Sequence, residues 1–219
     1  MERHFDEQLT VLKHTLVKMS ALSEAMIADA IRVLCERDTS AIPRIREHED
    51  EVNRLQIEID GICLRLIALY QPTAGDLRFI LGAVKTNGDL ERMADLATNI
   101  CGKAERLLHE PLKEPLATSL PEMAALASLM VKESLHAYVN RAVDRARAVL
   151  LRDDQLDELN RRIKNDLLVL MQKDPGMIKP ALDLLIVARN LERIGDHATN
   201  IAENAIFVVK GLDVRHHHE

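Results

Sequence analysis

An eleven-residue block occurs twice in this chain. Residues 90–100 read Leu-Glu-Arg-Met-Ala-Asp-Leu-Ala-Thr-Asn-Ile, residues 191–201 read Leu-Glu-Arg-Ile-Gly-Asp-His-Ala-Thr-Asn-Ile, and eight of the eleven positions agree. A fainter echo links Glu49 and Val52-Asn53-Arg54-Leu55 to Asp153 and Leu156-Asp157-Glu158-Leu159. Two segments repeated in the same order within 219 residues point to a tandem duplication, each copy being one packing unit.

The unit is helical. Apolar residues recur at gaps of three and four: Phe5, Leu9, Leu12, Leu16, Met19, Met26, Ala30 and Val33 in a first segment. Pro43 stands near the start of a second, whose seam is Val52, Leu55, Ile59, Ile62, Leu66 and Leu69. Thr73 followed by Asp76 resembles a capping box and opens a third helix running to about Leu108. Residues 109–121 hold three prolines and read as a linker. The plan then repeats, with a helix over about 122–151, another over 154–172, a break at Asp174-Pro175-Gly176, and a last helix to about 210. The expected fold is all-α, six helices as two tandem, pseudo-symmetric three-helix bundles. The first unit is 1–110, the linker 111–121, and the second unit 122–219 with a short polar tail.

Composition agrees. Aromatics are 2% with no Trp, and Gly (8) and Pro (7) are scarce, which excludes an all-β chain. The formal net charge of −6 and the few stacking rings argue against direct nucleic-acid binding. Cys35, Cys63 and Cys101 form no CxxC pair and read as small apolar fillers in a reducing compartment. No run of 18 apolar residues and no leader-like start is present, so a cytoplasmic protein without membrane insertion is expected.

Within the repeat, Glu91 and Asp95 are four apart, as are Glu192 and Asp196. At that spacing they share a helix face and repel by a few tenths of a kcal/mol, roughly 0.2–0.5. Angular placement puts both pairs on the far side from their apolar seams, with Glu49/Asn53 and Asp153/Asp157 also outward on the preceding helices. Each repeat can therefore gather two pairs into one oxygen-rich patch. Two readings stay open. One is a solvated acidic face relieved by Arg92, Arg193 and other bases. The other is a site for hard cations, for which carboxylate and amide oxygens suit Mg, Mn, Ca or ferric iron.

Other constellations are weaker. His197 has Leu96 as its counterpart, which breaks the symmetry. Glu133 and His136 form a lone ExxH, where a di-iron bundle needs two and two further Glu. His216, His217 and His218 read as a tag remnant or a chance polar end rather than a site. No Gly-rich phosphate loop, GxSxG or HExxH is present, and no nucleophile has an evident base, so an enzyme is not expected.

Gln71-Pro72-Thr73-Ala74-Gly75-Asp76-Leu77-Arg78, the two Leu-Glu-Arg blocks, Asn200-Ile201 and the Lys210-Gly211-Leu212-Asp213-Val214-Arg215-His216 end together resemble the bacterial PhoU family, the phosphate-specific transport accessory proteins. The resemblance implies metal motifs of E/DxxxD type at Glu91/Asp95 and Glu192/Asp196, with counterparts at Glu49/Asn53 and Asp153/Asp157, holding Fe, Mn, Mg or Zn ions. Asn53 stands where a carboxylate would bind better, and Met93-Ala94 replaces the family's usual Ile-Gly, so the first site is expected to be the weaker. The resemblance further implies a regulatory adaptor, expected as a homodimer. Its partners would be the nucleotide-binding subunit of the Pst ABC transporter and a PhoR-type sensor histidine kinase held inactive when phosphate is plentiful. A carboxylate-bound metal enzyme and a purely structural helical scaffold are the alternatives.

Overall fold

In the computed structural model, described over residues 2–110 and 112–212, six long helices follow in order: α1 (Glu2–Glu36), α2 (Ala41–Tyr70), α3 (Ala74–Arg106), α4 (Leu116–Asn140), α5 (Val143–Lys173) and α6 (Ile178–Lys210). His216, His217 and His218, with the rest of the 213–219 end, lie outside the described residues.

The chain ends its helices by local means. Gln71 and Gly211 adopt left-handed backbone and return their N–H groups to Ile67 O and Phe207 O. Pro43 falls in the first turn of α2, where its missing N–H costs little. Thr73 does occupy the N-cap of α3, but its side chain makes no capping bond. Asp76 instead favours the helix N-terminus by charge and reaches Arg141 at 3.3 Å.

Two expectations need correcting. Helix α4 starts at Leu116, so Pro121 lies inside it and not in a linker. Proline there removes one backbone donor, and burial of Leu116, Leu120 and Met123 in the core offsets the loss. The second error is the break between the fourth and fifth helices, placed at 151–154 but found at Arg141-Ala142. No Gly or Pro announces that turn. Arg141 takes φ 55, a conformation unfavourable for a side chain. Three contacts hold it: Ala142 N–H donates to Ala137 O at 2.9 Å, and the Arg141 guanidinium meets Asp76 and lies 5.8 Å from the Phe79 ring.

Helices α1, α3, α6 and α4 pack in a ring, with α2 laid on α1 and α3, and α5 on α4 and α6. Seams such as Leu12/Leu16/Met19 and Ile194/Ala198/Ile201 are fully buried, and the apolar residues of both repeats form one continuous core. Tyr138 on α4 ties the halves together: its ring stacks on Phe79 at 5.1 Å and its hydroxyl donates to Phe79 O. No described helix is long and apolar enough to cross a membrane.

Candidate functional site: two acidic patches

The antiparallel run of α2 against α3, and of α5 against α6, brings the repeated carboxylates of each half together. In the second half, Asp153 on α5 feels Asp157 on its own helix and Asp196 and Glu192 on α6. In the first half, Glu49 on α2 and Glu91 on α3 both feel Asp95. Asn53, one turn beyond Glu49, is exposed and adds no charge.

The first member of each pair is less exposed than expected. Glu49, Glu91, Asp153 and Glu192 are half-buried, whereas Asn53, Asp95, Asp157 and Asp196 are exposed. Glu49 and Asp153 lie where α2 and α5 face α3 and α6. For Glu91 and Glu192 a single apolar seam misjudges the helix, because α3 and α6 each pack on three other long helices. Their buried arcs are correspondingly wide, and the acids at the edge of the arc are drawn in.

Burial raises the Asp153 carboxyl to about 6, with Asp157, Asp196, Asp154 and Glu192 adding to it in that order. Asp196 is raised by burial and then by Glu192 and Asp157; Glu49 and Glu91 are raised by burial and then by Asp95. Arg92 and His197 oppose the shift at Glu91, and His197 and Arg193 oppose it at Asp196, without reversing either. The face is thus not neutralised by its basic neighbours. Acids just off the patches are paired: Glu51 with Lys18 and Arg54, Glu105 with Arg46 and Glu133 with Arg145.

The donor chemistry of the second patch, four carboxylates with mutual repulsion, fits a hard cation. Among the described residues, however, no three His, Cys, Asp or Glu side chains stand together as a ready ligand set. The first patch, with an amide at Asn53, has the lower negative charge.

Gly195 explains how close α5 and α6 come at the second patch. A Cβ there would stand 2.2 Å from Leu156 Cδ2 and 3.7 Å from Asp153 Oδ1. The counterparts in the first repeat are Ala94 and Val52, both buried: one carbon is added on one helix and taken from the other.

A feature absent from the repeat pattern lies between the patches. His197 Nδ1 is 2.9 Å from Asp89 Oδ1, and Asn200 Nδ2 donates to the same oxygen at 3.3 Å, bridging α6 to α3. His197 counts in the electrostatics of both Glu91 and Asp196, so it stands between the two patches. The repeat could not signal it, since the counterparts of Asp89 and His197 are Asn190 and Leu96. Glu133 and His136, the lone ExxH, join neither patch, and Glu133 is held by Arg145 at 2.9 Å.

Comparison with known proteins agrees with the duplication. The PhoU domain model matches twice, at residues 16–104 and 120–205. The phosphate-specific transport system accessory protein PhoU homolog of Caulobacter vibrioides is 37% identical over 212 residues, covering 97% of this chain and 92% of that protein. The homolog of the same description from Clostridium acetobutylicum is 36% identical, covering 96% of each. Among solved structures, PhoU from Pseudomonas aeruginosa superposes with a TM-score of 0.90 at 33% identity, over 95% of this chain and 100% of that one. The phosphate transport system regulatory protein PhoU from Streptococcus pneumoniae gives 0.84 at 25% identity, over 96% and 99%.

Proposed function

The chain belongs to the PhoU family, and on that premise we propose that it is a regulatory accessory protein of phosphate transport. The observation that carries this is the full-length match, through both repeats, to relatives described as phosphate-specific transport accessory proteins. In finer terms, the protein is a cytoplasmic, non-catalytic adaptor. It modulates uptake through the nucleotide-binding subunit of the Pst ABC transporter. It also keeps a PhoR-type sensor histidine kinase inactive when phosphate is plentiful. Two pseudo-equivalent faces on one rigid core suit a protein that answers to two partners, and self-association as a homodimer belongs to the same reading.

The acidic patches are part of the proposal. Glu49, Asn53, Glu91 and Asp95 would hold one cation, and Asp153, Asp157, Glu192 and Asp196 another, with Fe, Mn, Mg or Zn as candidates. The raised carboxyls of Asp153 and Asp196 support the second site, and the uncharged amide of Asn53 makes the first the weaker. A cation supplies charge that removes the repulsion across α5 and α6; the chain's own residues set how closely those helices approach.

Capture experiments with the purified nucleotide-binding subunit and the kinase test the adaptor reading. Saturable binding of either at micromolar concentration is expected, and capture of neither contradicts it.

A further inference from the structure

Between α4 and α5 of the second repeat runs a groove of about 670 Å³, lined by residues of those two helices. Its floor is Ala125, Leu126, Leu129 and Leu159, and its rim carries Glu122, Asp154 and Glu158. Leu129 is 40% exposed, and Leu151, which continues the same face of α5 one turn back, is 72% exposed. Two ion pairs across the seam close the ends, Glu122–Arg162 and Glu133–Arg145, each at 2.9 Å. Between them α4 makes three turns, about 16 Å at 1.5 Å per residue.

The corresponding seam of the first repeat carries a cross-helix ion pair. Glu51, the counterpart of Gln155, reaches Lys18 on α1 and Arg54 on its own helix. In the second repeat Gln155 stands at that position and carries no charge for such a pair. Its α5 rim is acidic, with Asp153 and Asp157 behind Asp154 and Glu158. Arg161 and Arg162 touch Glu158 and Glu122, but these are exposed pairs of the weak kind that an incoming cation displaces.

We propose that this groove docks an amphipathic α-helix of a partner protein, about three turns long, with an apolar stripe flanked by Lys or Arg. The apolar floor supplies affinity and the acidic rim selects the basic flanks and fixes the helix in register. The inference deepens the adaptor reading by naming the chemistry of one partner, but its test needs neither the transporter nor the kinase.

The probe is a labelled peptide of about 16 residues with leucines on one helical stripe and lysines beside it; its twin carries glutamate for lysine. Binding is read by fluorescence anisotropy on the full chain at about 0.15 M salt. The lysine peptide is expected to bind the natural protein with micromolar affinity, and the twin about tenfold more weakly or worse. Leu129→Glu, and Asp154→Lys with Glu158→Lys, should each weaken the lysine peptide about tenfold. Leu182→Glu, in the separate apolar groove between α5 and α6, should leave it unchanged. Circular dichroism of every variant checks that it is folded. Equal binding of the twin, equal loss in Leu182→Glu, or no binding by about 100 μM overturns the proposal. So does a dimer that Leu129→Glu converts to monomer, since the occupant would then be a second copy.

Discussion

Replacing Gly195 by alanine tests whether close helix contact builds the second patch. Helix propensity alone favours the change by about 1 kcal/mol. Packing opposes it, because the new carbon would stand 2.2 Å from Leu156 Cδ2, well inside an ordinary contact of about 3.5–4.0 Å. Leu156 is fully buried, so either its side chain must repack within the core or α5 and α6 must part. Overpacking of this kind costs about 1–3 kcal/mol, and the net for Gly195→Ala is a loss of up to about 2 kcal/mol. Leu156→Val alone should lose about 1 kcal/mol through the cavity it leaves. The double variant copies the Ala94/Val52 solution of the first repeat and should return to within about 0.5 kcal/mol of the natural chain. That implies a favourable coupling of about 1–3 kcal/mol. Urea unfolding followed by far-UV circular dichroism measures all four proteins, and each kcal/mol should move Tm by about 2–4 °C. Gly195→Ala at least as stable as the natural protein, or single effects that merely add, would refute the packing argument.

Asp153, raised to about 6 from 3.8, binds a proton more tightly in the folded state than in the unfolded one. Its contribution is therefore full at low pH and is lost as pH rises from about 4 through about 6, and Asp153→Asn should stabilise the metal-free protein near pH 7 by about 1 kcal/mol after solvent screening. Thermal melts across that range in chelator check it, and destabilisation at neutral pH would count against the crowded-carboxylate picture. Adding millimolar Mg or Mn should raise Tm of the natural chain and leave Glu192→Ala/Asp196→Ala unmoved; equal shifts in both would place the cation elsewhere. Asp89→Ala strips His197 and Asn200 of their shared acceptor and should cost about 1–2 kcal/mol in urea unfolding, whereas no loss would mean water serves as well. Tyr138→Phe should cost about 1 kcal/mol by removing the hydroxyl donated to Phe79 O, with the stacked ring preserved.

Six helices and their duplication are readable in the sequence because the apolar spacing and the repeated block are both local signals. The turn at Arg141 is not, because it rests on contacts with Asp76 and Phe79 some sixty residues away. Likewise Asp153-Asp154 has the composition of a helix start, yet tertiary packing carries α5 straight through it. The four pairs of the patches can be found by spacing, but the half-burial of their first members depends on how α2 lies on α3 and α5 on α6. Asp89–His197 arises at positions where the repeats differ, so a search for symmetry passes over it. The Ala94-to-Gly195 difference is visible as letters, and only the approach of Leu156 gives it a reason.

Regulation of the phosphate response is read most directly by a reporter driven by a phosphate-starvation promoter. In phosphate-rich medium, deletion of this chain should switch the reporter on, and its return in trans should silence it again. A reporter that stays silent after deletion, or stays on after the chain is restored, would contradict the account.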